Sequence, residues 1–445
     1  MNTNFSLSKY NQFTKIDNET ICFNPIRNTM IVLKNKEYDN LFGKIAKDKE
    51  FQKKYPTIFK KMNKWGFIIS TNIDETALLL MRNREKIFAD KTMRLTINPT
   101  LDCNFNCWYC SVESANTVYK KERMSDDTVE RIEKFINKLS ISNEYTGLHL
   151  DWFGGEPLMY FNEIVYKISL KAKEIMKLKG INFINQITTN AYLITNEMID
   201  RFVEINLNRF QITIDGNEIR HNKIRNENNK PSYRKIIGNI KKICNKIDDA
   251  KIILRLNYDK KTLIGISTLF EEFNDIEKSK IQIDFQRVWQ VKSDDSLIQL
   301  LKSTIKQAQA KGFYVGYYAY KPLYNHTCYS DRFNYAAINY DGNVFKCTAR
   351  DYSAKHIVAE LNSSGQLVWD KEIISKRLSK ATFENKNCID CKYLGLCFGP
   401  CSQKMLEYNE NNHPFSSICT IKNSELNIDD FLIMEARNRN LLINK

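Results

Sequence analysis

Arg94–Cys110 reads RLTINPTLDCNFNCWYC. The stretch opens as a β-strand, Leu95–Asn98, and closes on Cys103, Cys107 and Cys110, spaced C-x3-C-x2-C. Beyond Cys110, helices and strands alternate. Ser125–Leu139 carries apolar residues at helical spacing with Ser125 at the N-cap position. Leu148–Phe153 is strand-like and runs into Gly154-Gly155-Glu156-Pro157. Helix Glu163–Lys179 leads to strand Phe183–Thr189, and helix Asn196–Ile205 to strand Phe210–Asp215. Helix Tyr233–Lys246 leads to strand Lys251–Asn257, and helix Leu263–Phe273 to strand Ile281–Val288. Helix Asp295–Lys311 closes the series. Strands alternating with helices imply a parallel sheet with outer helices.

Six such β–α units are too few for a full eight-stranded barrel. The expected class is α/β, built on a partial, open (β/α)6 TIM-like barrel over residues 91–312. Its functional face should lie at the C-terminal strand ends. The flanks read differently. In residues 1–90, Thr20–Phe23 and Thr29–Leu33 form a hairpin around Asn24–Asn28, and Phe67–Ser70 is a further strand. Tyr38, Leu41, Phe42 and Ile45 fall at helical spacing, as do Ile58, Phe59 and Met62. That order fits a small winged-helix-like domain. Residues 313–424 are a cysteine-rich stretch of turns and short hairpins, and residues 425–445 contain a final helix, Glu425–Asn440.

The chain has 445 residues, enough for two or three cores, and 42% of them are hydrophobic. No apolar run reaches the ~18 residues that a spanning helix needs. The start, MNTNFSLSKY, has no apolar signal region. A cytoplasmic setting without a membrane partner is expected, where twelve cysteines read as metal ligands rather than disulfides. The formal net charge is +15. Much of it is scattered lysine, as in Phe51–Lys64, and no arginine-rich block points to nucleic acid.

Three thiolates within eight residues are the soft ligands an iron–sulfur cluster takes, and three ligands leave one iron of a cubane open. Zinc is the other reading of these residue types. It wants a fourth Cys or His, and the next histidine along the chain is His149. With Tyr109 just before the last cysteine, the group resembles the signature of the radical SAM superfamily. The resemblance implies that Cys103, Cys107 and Cys110 hold a [4Fe–4S] cluster whose fourth iron is chelated by S-adenosylmethionine. Reductive cleavage then gives a 5′-deoxyadenosyl radical that abstracts hydrogen. Gly154, Gly155, Glu156 and Pro157 resemble the family's GGEP motif at the SAM amino group. Thr189 and Asn190 end the third strand with side chains suited to the ribose. Asp215-Gly216 with His221 and Arg225 resembles the family's D-G…H…R segment. Arg225 is expected to pair with the SAM carboxylate and His221 to order the loop, while Asp151 reads as structural.

Cys328, Gly342, Cys347, Cys388, Cys391, Cys397, Cys401 and Cys419 are spaced C-x13-G-x4-C, then C-x2-C-x5-C-x3-C, then a last cysteine. They resemble the SPASM extension of radical SAM peptide and protein maturases. The resemblance covers roughly 94–420 with the barrel, and it implies two auxiliary [4Fe–4S] clusters. Cys388, Cys391, Cys397 and Cys419 would ligate one, and Cys328, Cys347 and Cys401 the other. Fully closed members carry a further cysteine where this chain has Pro322, so the second auxiliary cluster is expected to have an open iron or to use another ligand, His326 being the nearest. Cys22 and Cys244 match no motif and read as buried thiols.

The resemblance supports two enzymatic readings. The first is a maturase of ribosomally made precursor peptides that installs a thioether or carbon–carbon cross-link. Residues 1–90 would bind the precursor's leader by strand pairing, and a flavodoxin or ferredoxin would supply electrons. The second is formylglycine formation of the anaerobic sulfatase-maturase type. Those enzymes carry Asp after the second SPASM cysteine, where this chain has Thr348, a neutral hydroxyl. Asp351 is the nearest replacement base. A non-enzymatic iron–sulfur or zinc module is the reading from a different class.

Overall fold

The structure is a computed structural model that describes residues 4–47, 50–110, 112, 122–320, 328–349, 352–410 and 414–442. It divides into two compact units. One is Asp90–Tyr317 with Tyr329–Leu378; the other is Met1–Ala89 with Tyr318–Cys328 and Ser379–Lys445.

In the larger unit the strands are β1 (Thr92–Ile97), β2 (Gly147–Trp152), β3 (Asn182–Thr189), β4 (Leu207–Ile214), β5 (Lys251–Tyr258), β6 (Ile281–Arg287), β7 (Tyr314–Tyr317), β8 (Tyr335–Ile338), β9 (Asn343–Phe345), β10 (Ala359–Leu361) and β11 (Leu367–Trp369). They form one sheet in the order β7-β6-β5-β4-β3-β2-β1-β8-β9-β10-β11. The row from β7 to β8 is parallel throughout. From β8 to β11 it turns antiparallel. This is the α/β partial barrel.

Helices α1 (Asp126–Ile141), α2 (Lys167–Lys179), α3 (Asn196–Glu204), α4 (Glu218–Ile224), α5 (Tyr233–Lys246) and α6 (Asp295–Ala310) lie between or after these strands. Side-chain oxygens start several of them. Ser125, Thr195, Asn217 and Asp294 each accept from a backbone N–H three residues on, which satisfies a donor the helix leaves free.

Parallel strands are usually apolar on both faces because helices cover both. These are not. Leu148, Leu150 and Trp152 of β2, Ile212 and Ile214 of β4, and Leu254 and Leu256 of β5 are fully buried on one face. The alternate residues Asp151, Gln211, Thr213, Arg255 and Asn257 line a cavity instead. One face of the sheet builds the core and the other builds a chamber.

The six β–α units stand where the sequence pattern places them, with three differences, one being that the expected helix Glu163–Lys179 opens as a π-helix, Phe161–Tyr166, before α2. Among the described residues the parallel row has eight strands, because β7 and β8 join it. The expected helix Leu263–Phe273 is two short helices, Lys260–Leu263 and Ser267–Glu271. Gly265 between them has φ +71°, a backbone state that ends a helix and suits glycine.

In the smaller unit, Gln12–Ile16, Glu19–Asn24 and Thr29–Lys34 form an antiparallel sheet, and Phe5–Leu7 pairs with Ile68–Ser70. Cys22, Phe42, Phe51, Met62, Phe67 and Ile68 make one core. A second core joins Tyr10, Ile26 and Leu79 to Ala381, Phe383, Cys388, Leu394 and Phe398. Gln12 Nε2 donates to the carbonyl of Lys392 at 2.9 Å, and Thr14 Oγ1 to Asp429 at 2.7 Å. The last helix, Ile428–Asn438, is closed by a capping box between Asn427 and Asp430. Compactness thus interleaves the four stretches expected in linear order: residues 318–328 and 379–445 pack with 1–89, and 329–378 with the barrel.

Candidate active site

The loop after β1 carries Cys103, Cys107 and Cys110, and the loop after β2 holds it in place. Gly155 N donates to Thr100 O at 3.1 Å, and Glu156 N to Asp102 O at 2.8 Å. Gly154 has φ +114°, and a Cβ there would lie 2.3 Å from Thr100 O; a Cβ on Gly155 would lie 1.9 Å from Asp102 O. The two glycines therefore let one loop's backbone lie against the other's. Asp102 adds a local brace, accepting from Cys103 N at 2.9 Å.

Glu156 is 1% exposed and ties three elements together. Its carboxylate accepts from Leu158 N at 3.0 Å, from Thr189 Oγ1 at 2.7 Å and from Asn190 N at 2.8 Å. Burial pushes it up to about 6, against the pull of those bonds. Asn190 continues the chain of contacts, donating to Asn104 Oδ1 at 2.8 Å with the Cys103 sulfur 3.9 Å away.

At the end of β4, Arg225 Nε bonds Asp215 Oδ2 at 2.9 Å and Arg225 Nη2 bonds Tyr109 Oη at 2.9 Å. Tyr109 Oη donates to the same Asp215 oxygen and accepts from Asn257 Nδ2 at 3.1 Å. Burial alone would lower the Arg225 guanidinium, but Cys107, Tyr109 and Asp215 hold it well above its ordinary value. A fixed cation thus sits within electrostatic reach of Cys107. His221 shapes this corner. Its Nδ1 accepts from Asp215 N at 3.2 Å and its Nε2 lies 3.0 Å from Ser232 Oγ, which donates to Arg225 O at 2.6 Å. That pattern fits a neutral ring with the proton on Nε2, and burial lowers its pKa well below the usual value.

Cys103, Cys107, Cys110, Tyr109 and Arg225 line one cavity of about 700 Å3 with Gly154, Gly155, Glu156, Thr189 and Asn190. Asp215 is fully buried behind Arg225. Burial pushes the Cys103 thiol up to about 12, with Glu156 adding to the rise. Three soft donors on a loop pinned by the two glycines, with a cation near Cys107, fit an anionic iron–sulfur cluster. Among the described residues no three His, Cys, Asp or Glu side chains are grouped to hold a single metal ion. His149 is bonded instead to Arg94, with Nδ1 2.7 Å from Nη1.

The cavity extends well beyond the cysteines. Gln186, Thr188, Arg209, Gln211, Lys251 and Arg255 line it, as do Trp289, Tyr329 and Thr348. Thr348 Oγ1 and Tyr329 Oη are 2.7 Å apart. Sequence motifs do not single out these wall residues. For those on β3–β5 the signal was polar residues at alternate positions, Gln186 and Thr188, Arg209, Gln211 and Thr213, and Arg255 and Asn257. Asp351, Pro322 and His326 lie outside the described residues.

In the smaller unit, Asn385 caps the turn that carries Cys388, accepting from Cys388 N at 3.1 Å. Burial, with smaller contributions from Cys391 and Cys419, raises Cys388 to about 11 and Cys397 to about 12. All four cysteines of this set belong to this one unit. Cys328 and Cys401 belong to the smaller unit and Cys347 to the larger. Among the described residues no helix is long and apolar enough to cross a membrane.

Residues 97–258 match the family model described as the Radical SAM superfamily. A serine-type anaerobic sulfatase-maturating enzyme of Bacteroides thetaiotaomicron is 35% identical over 144 residues, 31% of this chain. The match spans only a third, 33%, of that relative's length. Among solved structures, native anSMEcpe with bound AdoMet and Cp18Cys peptide superposes with TM-score 0.53 and 15% identity, covering 79% of this chain and 96% of that one. Streptococcus suis SuiB bound to S-adenosylmethionine gives TM-score 0.51 and 17% identity, covering 91% and 96%. At such identity these two likenesses show the fold.

Proposed function

We propose that this chain, whose residues 97–258 form a radical SAM domain, modifies a peptide by hydrogen abstraction and installs a thioether or carbon–carbon cross-link. The observation that carries the reading is the pinned loop of Cys103, Cys107 and Cys110 opening into a cavity with a polar wall. When bound, the cluster and S-adenosylmethionine would supply a 5′-deoxyadenosyl radical; the protein orients that chemistry.

The chain's own residues do the rest. Cys103, Cys107 and Cys110 would hold the cluster. Gly154 and Gly155 fix the cysteine loop, and Glu156 braces it to Thr189 and Asn190. Tyr109, Asp215 and Arg225 hold a fixed positive charge beside it. The polar wall offers donors and acceptors to a peptide backbone. Peptide complexes of the fold's neighbours support that substrate class: SuiB has been seen with precursor peptide SuiA and anSMEcpe with Cp18Cys peptide. Residues 1–90 bind the leader in this reading, and Cys388, Cys391, Cys397 and Cys419 hold one of two auxiliary clusters. A flavodoxin or ferredoxin is the electron donor.

Formylglycine formation on a sulfatase is the second reading. The identity to a sulfatase-maturating enzyme favours it, and Thr348 in place of a carboxylate weighs against it. With a cysteine substrate product mass separates the two: cross-linking removes two hydrogens and keeps the cysteine sulfur, whereas formylglycine formation removes it. With serine both lose two hydrogens, and reaction of the aldehyde with a hydrazide marks formylglycine.

Anaerobic reconstitution should bind about twelve iron atoms per chain, three cubanes. Cys391→Ala should lose about four of them and keep 5′-deoxyadenosine formation within a few-fold of the parent. Equal loss of deoxyadenosine would mean that the two cysteine groups do not act separately.

A further inference from the structure

Asp151 stands apart from the other carboxyls of this site. It lies on β2, three residues before Gly154. It is in register with Thr96 on β1 and with Gln186 on β3, and Gln186 is in turn in register with Arg209 on β4. Its side chain lines the same cavity as the three cysteines. Thr96 and Gln186 offer it hydrogen bonds, while Oδ1 is buried without a partner.

The neighbouring carboxyls are all engaged. Asp215 is paired with Arg225. Asp284 faces Arg255 and bonds Gln286. Glu156 accepts three hydrogen bonds. Among the described residues no ion pair involves Asp151. The groups around it do not neutralise it. Tyr335 bonds Thr96 Oγ1 at 2.9 Å, and Tyr352 is a buried phenol within its electrostatic reach. His149, two residues back on β2, is bonded to Arg94 and is lowered to about 4, which leaves it neutral at pH 7. Arg209 is two strands away and exposed. With no cation to offset burial, the carboxyl rises to about 7. A base poised near the working pH is the most effective one.

We propose that Asp151 is the catalytic base that takes the substrate proton in this cavity. The assignment rests on the peptide-modifying reading above and supplies the base that neutral Thr348 does not. With a thiol substrate, hydrogen abstraction leaves a carbon radical. The S–H bond then breaks and its proton goes to the Asp151 carboxylate. Sulfur bonds the radical carbon, and one electron leaves to a one-electron acceptor of the iron–sulfur class.

Two measurements test this. The first needs no turnover: infrared spectra of the reconstituted protein between pH 5 and 9, alongside Asp151→Asn. A buried carboxyl band should disappear with a midpoint near 7 and be missing from the variant. Absence of the band in the parent, or its persistence in the variant, overturns the assignment. The second uses the reconstituted protein with SAM, dithionite and a synthetic peptide bearing one central cysteine. Asp151→Asn should form 5′-deoxyadenosine within about threefold of the parent while modified peptide falls roughly 100-fold, with Asp151→Glu restoring part of it. In the parent, the ratio of product to deoxyadenosine should rise with pH through about 7; in Asp151→Asn it should be flat. Unchanged product in Asp151→Asn overturns the base alone. No deoxyadenosine from the parent overturns the reading beneath it.

Discussion

Cys107→Ala protein, reconstituted without oxygen and given SAM and dithionite, should form no 5′-deoxyadenosine above the protein-free background. The expected fall is at least about 1000-fold, with a loss of about four iron atoms per chain. Three thiolates are the full protein ligand set of the proposed cluster, so removing one leaves two. Cys107 also lies within electrostatic reach of Arg225, whose guanidinium it raises. It is 7% exposed, so no solvent ligand readily takes its place. Iron analysis with deoxyadenosine chromatography on the same sample checks this. Retained deoxyadenosine would mean the cluster is held elsewhere.

Gly155→Ala should be nearly as damaging, for a reason unrelated to ligation. The new Cβ would meet Asp102 O at 1.9 Å and the carbonyl carbon of Leu101 at 2.7 Å. Both are backbone atoms, and Gly155 N and Glu156 N are bonded to the same loop, so neither side can yield without breaking those bonds. Overpacking of this kind costs about 1–3 kcal/mol, and here the strain falls on the loop that carries the cysteines. Iron at the first site and deoxyadenosine formation should fall together, roughly 100-fold for the latter, because misplacement by an ångström alone costs that much. Gly238→Ala is the matched control. Gly238 lies within α5 and a Cβ there meets nothing within 4 Å. That exchange should raise stability by about 0.5–1 kcal/mol and leave activity unchanged. Melting curves and deoxyadenosine yields for the two variants side by side decide the matter.

The barrel was legible because its strands and helices differ in period, and each strand buries alternate residues such as Leu148, Leu150 and Trp152. Strands β7 and β8 were not. Tyr314–Tyr317 and Tyr335–Ile338 are four residues each, and β8 joins the sheet beside β1 rather than beside its predecessor. Pairing between residues some 240 positions apart leaves no mark on local pattern. The same holds for the core that joins Tyr10 and Leu79 to Cys388 and Phe398. The strand Gln12–Ile16 and the helix Glu75–Phe88 also fell outside the expected elements of the first 90 residues.

At the site, motif spacing located Cys103, Glu156, Asp215 and Arg225, and the structure describes what each touches within the protein. Glu156 was expected at an ammonium, and here it braces Thr189, Asn190 and Leu158. The two glycines were expected to admit a ligand, and here they admit the cysteine loop. Asp151 read as structural, because nothing in its local sequence tells that its face of β2 opens on a cavity while Leu150 and Trp152 face the core. The chemistry of a side chain on a strand depends on which face is filled, and distant residues decide that.

The central claim is that the loop of Cys103, Cys107 and Cys110 forms a site that cleaves S-adenosylmethionine. The most direct measurement is chromatography of the anaerobically reconstituted parent protein after incubation with S-adenosylmethionine and dithionite. The expected products are 5′-deoxyadenosine and methionine in equal amounts, dependent on reductant. Protein that carries its full iron complement and forms neither would contradict the claim.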